Sequence, residues 1–251
     1  RARENGESVD YITFVPDGEP TLDVGLGEEI VRLSSLGVKI GVISNGSLIC
    51  DPRVRKALSL AHWVSLKVDS SQWRIWRKIN RPHRALRLDS ILEGMLKFAE
   101  GYEGELASET MLVKGVNDGE EHIEQTAAFL RRLSPSKAYL SIPVRPPAVK
   151  WAQSPDEETI NRAYQILSKK LDHVECLLGY EGNAFSFTGD LETDLLSITS
   201  VHPMREDAVQ SLLEKAGGGW SIIRKLIDDD KLVETEYQSN RFYLRNLSSR
   251  V

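Results

Sequence analysis

The stretch Val15-Pro16-Asp17-Gly18-Glu19-Pro20-Thr21 sets a glycine, a carboxylate and a second proline directly after a run of apolar residues. Gly18 lets backbone approach a ligand closely, and Pro20 stiffens the turn behind it. The exposed backbone groups and Glu19 would suit an ammonium group. The same residues would also serve an ordinary strand-to-helix turn. Further along come Ser44-Asn45-Gly46, Lys67-Val68-Asp69, Glu109-Thr110 and Pro143-Val144-Arg145-Pro146-Pro147. The planar fork of Arg145 matches a carboxylate or a phosphate, and its prolines make the loop rigid. Each of these charged residues would equally fit a structural ion pair.

A second constellation runs from Trp73 to Arg87. It holds six Lys/Arg, one His and two Trp in fifteen residues of an otherwise acidic chain. Cations interleaved with aromatics suit stacked bases and phosphates, with Arg77, Lys78 and Arg81 as candidate substrate contacts. The alternative is a solvated helix face with its tryptophans packed inward. Asp118 and Glu181, with glycine neighbours, read as turn chemistry, and His202 as structural. The five histidines lack metal-ligand spacing.

A chain of 251 residues with 41% hydrophobic and 27% charged content is globular, not disordered, collagenous or coiled-coil. No apolar run reaches the roughly 20 residues needed to cross a bilayer. The net charge of −5 excludes a generally basic nucleic-acid coat but leaves room for a local basic groove. Two cysteines, Cys50 and Cys176, supply neither a disulfide framework nor a whole metal site. A cytoplasmic location is expected.

The elements that must position these residues alternate. Strand patterns cover residues 11–15, 38–43, 63–68, 106–113, 138–142 and 173–178, with amphipathic helices between them. Alternation at this spacing predicts a parallel sheet with helices outside it, and the polar clusters all fall at strand ends. In an α/β barrel those ends share one mouth. The texture changes near Gly189, giving an expected division into residues 1–189 and 190–251. The tail reads as helix, helix and hairpin, the outline of a small winged helix, with a helix starting at His202-Pro203-Met204-Arg205. It carries 8 Lys/Arg against 11 Asp/Glu, which favours protein docking or a structural role over DNA reading.

Gly18-Glu19-Pro20 resembles the Gly-Glu-Pro motif of radical S-adenosylmethionine enzymes. Asp10-Tyr11-Ile12-Thr13-Phe14, the strand Trp63 to Asp69, Ile79-Asn80-Arg81-Pro82, and Glu109 to Val113 followed by Gly115-Val116-Asn117-Asp118 are similar to the wyosine-base (tRNA imidazoguanosine) synthase branch and its relatives. The likeness covers about residues 9–150. It implies an α/β partial (β/α)6 TIM-type barrel in which Gly18, Glu19 and Pro20 hold the methionyl amine of S-adenosylmethionine. Ser44 and Asn45 would lie near its carboxylate and ribose. Lys67, Asp69, Glu109 and Arg145 would face the mouth. Lys67 is the candidate catalytic residue, since wyosine synthases use a lysine that forms a Schiff base with pyruvate.

The superfamily binds a [4Fe–4S] cluster through Cys-x3-Cys-x2-Cys after its first strand, and this sequence has no such triplet. Because the Gly-Glu-Pro turn belongs to the family's second strand, the cluster loop is expected upstream of Arg1. The alternative is a cluster-free barrel acting as a binding module. The implied activity is 5′-deoxyadenosyl radical chemistry on an RNA base, with tRNA in view, or on another phosphate-bearing substrate. Modification of a partner protein held by the tail is the alternative. A flavodoxin or ferredoxin would supply electrons.

Overall fold

The computed structural model describes residues 9–15, 18–178, 185, 187–201 and 203–246. Pro16, Asp17, Glu181 and His202 lie outside them. The chain divides into two units, one holding the residues up to Pro143 together with Trp151–Leu178, the other Val144–Lys150 and the chain from 179 onward.

In the first unit, β1 (Tyr11–Phe14), β2 (Lys39–Ser44), β3 (Trp63–Lys67), β4 (Glu105–Met111), β5 (Lys137–Ser141) and β6 (Val174–Leu177) form one sheet in sequence order, every pair parallel. Parallel neighbours need long crossovers. These are α1 (Leu26–Ser34), α2 (Pro52–Leu58), α3 (Trp73–Asn80) with α4 (Leu88–Gly101), α5 (Glu120–Leu133) and α6 (Glu157–Ser168). The result is a partial barrel.

Side chains alternate along a strand, so each strand sorts its residues onto two faces. Ile40, Val42, Val64, Leu66, Leu106 and Leu140 share one face and pack in a single core with Ile30, Leu58, Met95, Phe98, Leu130 and Leu167 from the helices. Close approach is built in at Gly94 of α4. A Cβ there would lie 2.8 Å from the backbone of Ile49 and Cys50, so only glycine lets α4 press on the turn after β2. That turn itself needs Gly46, at φ +69°.

The second unit contains α7 (Leu191–Val201), β7 (Met204–Arg205), α8 (Glu206–Ala216), α9 (Trp220–Asp228), β8 (Leu232–Tyr237) and β9 (Asn240–Arg245). Its antiparallel sheet runs β7-β9-β8. Met204 and Arg205 are strand, not the helix start the sequence suggested, because they pair with Tyr243 and Phe242. Leu195, Met204, Leu212, Leu213, Ile223, Leu226 and Tyr243 form its core.

Candidate functional site

A sheet made wholly of parallel strands is normally apolar on both faces. Here the face turned away from the helical core carries Thr13, Ser65, Lys67, Glu109, Tyr139 and Ser141. The ladder register sets Lys67 beside Glu109 and Glu109 beside Tyr139. Lys67 Nζ lies 3.5 Å from Glu109 Oε1 and 3.5 Å from Asp69 Oδ1. The Ser141 hydroxyl donates to Glu109 Oε1 at 2.9 Å. Burial by itself would pull the Lys67 pKa down, but Asp69 and Glu109 together reverse this and hold it above its ordinary value. The ammonium is therefore a fixed cation.

The rim beyond β3 and β4 is stapled by side chains. Thr110 Oγ1 donates to the Val68 carbonyl at 2.8 Å, and the Met111 N–H donates to Asp69 Oδ1 at 3.0 Å. Buried Asn117 accepts the Val113 N–H at 2.7 Å and donates to the carbonyls of Asp69 and Met111, both at 2.8 Å. Asp69 is 1% exposed, and its second oxygen, Oδ2, is buried without a hydrogen-bond partner. A buried carboxylate oxygen without a partner is costly, and a bound group that donates to it is one explanation for its persistence.

At the ends of β1 and β2, Glu19 is buried and its carboxylate is occupied by its own chain. Oε1 accepts from Thr21 N–H at 3.2 Å, Thr21 Oγ1 at 2.7 Å and Ser44 Oγ at 2.6 Å, while Oε2 accepts from Asn45 N–H at 2.8 Å. Glu19 thus clamps the Gly-Glu-Pro turn to the β2 exit. Its side chain holds the loop in shape, and the backbone around Gly18 is what the loop presents. Gly18, Glu19 and Asn45 line an open cleft of about 600 Å³ with Trp76, Asn80 and His83. The Asn80 amide nitrogen there is buried and without a hydrogen-bond partner. α3 forms this wall because Ile75 and Trp76 point inward and Arg81, in a left-handed conformation at φ 47°, ends the helix before Pro82.

The structure brings together two groups of the residues singled out from sequence: Gly18, Glu19, Pro20, Ser44 and Asn45, and separately Lys67, Asp69 and Glu109. Arg145 follows β5 within the segment that groups with the second unit. Arg77, Lys78 and Arg81 are exposed on and after α3. Of the two tryptophans, Trp76 is 7% exposed and Trp73 41%, so only one packs inward. Sequence reasoning named Thr110 and Asn117 only as members of motifs, with no role assigned, and missed Ser141, whose only signal was proximity to a strand end.

Among the described residues no three His, Cys, Asp or Glu side chains come together as a metal site. Cys50 precedes α2 and Cys176 is on β6. These residues do not fit an iron–sulfur cluster. No described helix is long and apolar enough to cross a membrane.

The parallel six-stranded partial barrel with its polar mouth is the fold of radical S-adenosylmethionine enzymes. A domain of pyruvate-formate lyase-activating enzyme from Bacteroides vulgatus superposes with a TM-score of 0.54 at 22% identity, over 67% of this chain and 98% of that one. TYW1 with a lysine–pyruvate adduct bound gives 0.55 at 20% identity, over 64% and 51%. Identities of that size carry the fold, not the reaction or the wyosine branch. The chain belongs to the UPF0026 family: it is 44% identical to the UPF0026 protein MJ1312 of Methanocaldococcus jannaschii, over 98% of this chain and 77% of that protein. No protein-family model matches the chain.

Proposed function

We propose that this protein is a radical S-adenosylmethionine enzyme. The observation that carries the reading is the polar inner face of an all-parallel sheet, where Lys67, Asp69 and Glu109 converge at the strand ends. S-adenosylmethionine would be held by the Gly18-Glu19-Pro20 turn, by Ser44 and Asn45, and by Lys67, Asp69 and Glu109. Backbone at Gly18 would take its ammonium end, since the Glu19 carboxylate is already filled. Lys67, kept protonated, would receive a carboxylate; this role fits its charge better than Schiff-base nucleophilicity. The orphan Asp69 Oδ2 offers one acceptor to a donor group of the ligand. With a [4Fe–4S] cluster bound by ligands outside the described residues, the cofactor would supply a hydrogen-abstracting radical.

The substrate in this proposal is an RNA base or another phosphate-bearing molecule, with Arg77, Lys78 and Arg81 as contacts. The helix and strand order of the second unit, with its sheet order β7-β9-β8, supports a winged helix within a 190–251 domain. Its acidic balance favours docking of a protein, and a flavodoxin or ferredoxin as electron donor completes a cytoplasmic system. The test is an electron paramagnetic resonance spectrum of the full-length gene product, purified without oxygen and reduced, with and without S-adenosylmethionine. A cluster signal that changes shape on adding the cofactor is the expected result. No iron after reconstitution would overturn the enzyme reading and leave a cluster-free binding barrel.

A further inference from the structure

We propose that the outer face of α3 and the turn to Arg87 dock a single-stranded RNA. The phosphates would lie on Arg77, Lys78, Arg81 and Arg84, and the bases against Trp73 and Trp151. This deepens the enzyme reading by naming its substrate class, and it rests on that reading only for what happens to the strand once bound.

Arg74, Arg77, Lys78, Arg81, Arg84 and Arg87 are all exposed, and none forms an ion pair among the described residues. Elsewhere in the same unit Lys97, Lys137, Arg162 and Lys170 each have a carboxylate partner. The sequence denies the α3 cations any such partner nearby, for no acidic residue occurs between Asp69 and Asp89. Arg74 and Lys78, like Arg77 and Arg81, are four residues apart, a spacing at which like charges repel on a helix. A bound polyanion relieves that repulsion.

Trp73 is 41% and Trp151 42% exposed. The Arg77 guanidinium lies 5.9 Å from the Trp73 ring and the Lys78 ammonium 5.3 Å from the Trp151 ring. Each exposed ring thus stands beside a cation, the pairing that binds a base and its phosphate together. α3 is about 12 Å long, more than a lone phosphate would span. Bases must be unpaired to stack on such rings, which selects a single strand over a duplex. The inner wall of α3 is the cleft of Gly18, Asn45 and Asn80, so a strand docked outside borders the mouth.

The experiment is fluorescence anisotropy of a labelled 15-nucleotide mixed-sequence RNA with the full-length protein, across a potassium chloride series. With four to six phosphate contacts, log affinity should fall against log salt with a slope of about −3 to −4. The combined R77E, K78E and R84E variant, whose positions are solvent-exposed, should weaken binding at low salt by about a hundredfold or more. It should also lower the slope by about 2. W73A should weaken binding about fivefold or more with the slope unchanged. Absence of RNA binding, or a slope unaltered in the triple variant, overturns the proposal. So does loss of flavodoxin binding, without loss of RNA binding, in that variant; it would make this face an electron-donor dock. Because the readout requires no cluster, failure here is separable from failure of the paramagnetic test above.

Discussion

Lys67 and Glu109 stand beside each other on neighbouring parallel strands, Nζ to Oε1 at 3.5 Å, with Asp69 Oδ1 at the same distance from the ammonium. Two carboxylates sharing one cation keep it protonated. At pH 7 borohydride trapping with pyruvate should therefore leave Lys67 unlabelled; a labelled Lys67 would show that its amine is neutral when substrate enters. Its pKa is raised above the ordinary 10.5, so the stability it contributes is full below that value and fades only as pH climbs through the elevated one. Urea midpoints should accordingly show no Lys67-dependent change between about pH 6 and 9. Lys67→Met should cost more than the ~0–1 kcal/mol of an exposed pair and less than the ~3–5 of a fully buried one.

Glu19 acts on the turn before any ligand does. Glu19→Ala removes acceptors for four hydrogen bonds in one step and should cost about 2–4 kcal/mol in urea unfolding. S-adenosylmethionine affinity should fall with it, because Gly18 loses its fixed position. A variant with wild-type stability but no cofactor binding would instead mean that the carboxylate itself contacts the ligand.

Asn117 holds the exits of β3 and β4 together through three hydrogen bonds. Asn117→Ala should cost about 2–3 kcal/mol, or roughly 4–12 °C in melting temperature for a unit of this size. Asn117→Asp should be at least as harmful, since an acceptor would then face the carbonyls of Asp69 and Met111. Calorimetry on the two variants decides this.

Ser108 makes the opposite forecast. Its hydroxyl sits on the helix-facing side of β4, fully buried and without a hydrogen-bond partner. Ser108→Ala should be neutral or stabilising by up to about 1 kcal/mol in thermal unfolding. Clear destabilisation would reveal a partner for that oxygen.

The strands were legible because their helix-facing positions, such as Ile40, Val42, Val64 and Leu66, are apolar at period two. Helix stripes were readable from apolar residues recurring every three to four positions, although Tyr164, which shares the α6 stripe with Ile160 and Leu167, is 40% exposed. What local pattern could not show was pairing at a distance. β7 is two residues long and exists only because β9 arrives beside it. The site divides along the same line. Glu19, Lys67, Asp69 and Glu109 stood out by type and strand-end position, whereas Ser141 and Asn117 matter through register and loop closure.

The two-faced sheet also means that this domain has one hydrophobic seam where other parallel sheets have two. Buried ion clusters often lose to well-packed apolar residues of similar volume by about 1–4 kcal/mol. A version with Lys67, Asp69 and Glu109 changed to methionine and leucines should therefore be the hardier protein in urea or thermal unfolding. In the wild type, robustness has yielded to a charged mouth at the centre of the fold, and an occupant of that mouth would restore part of it by mass action.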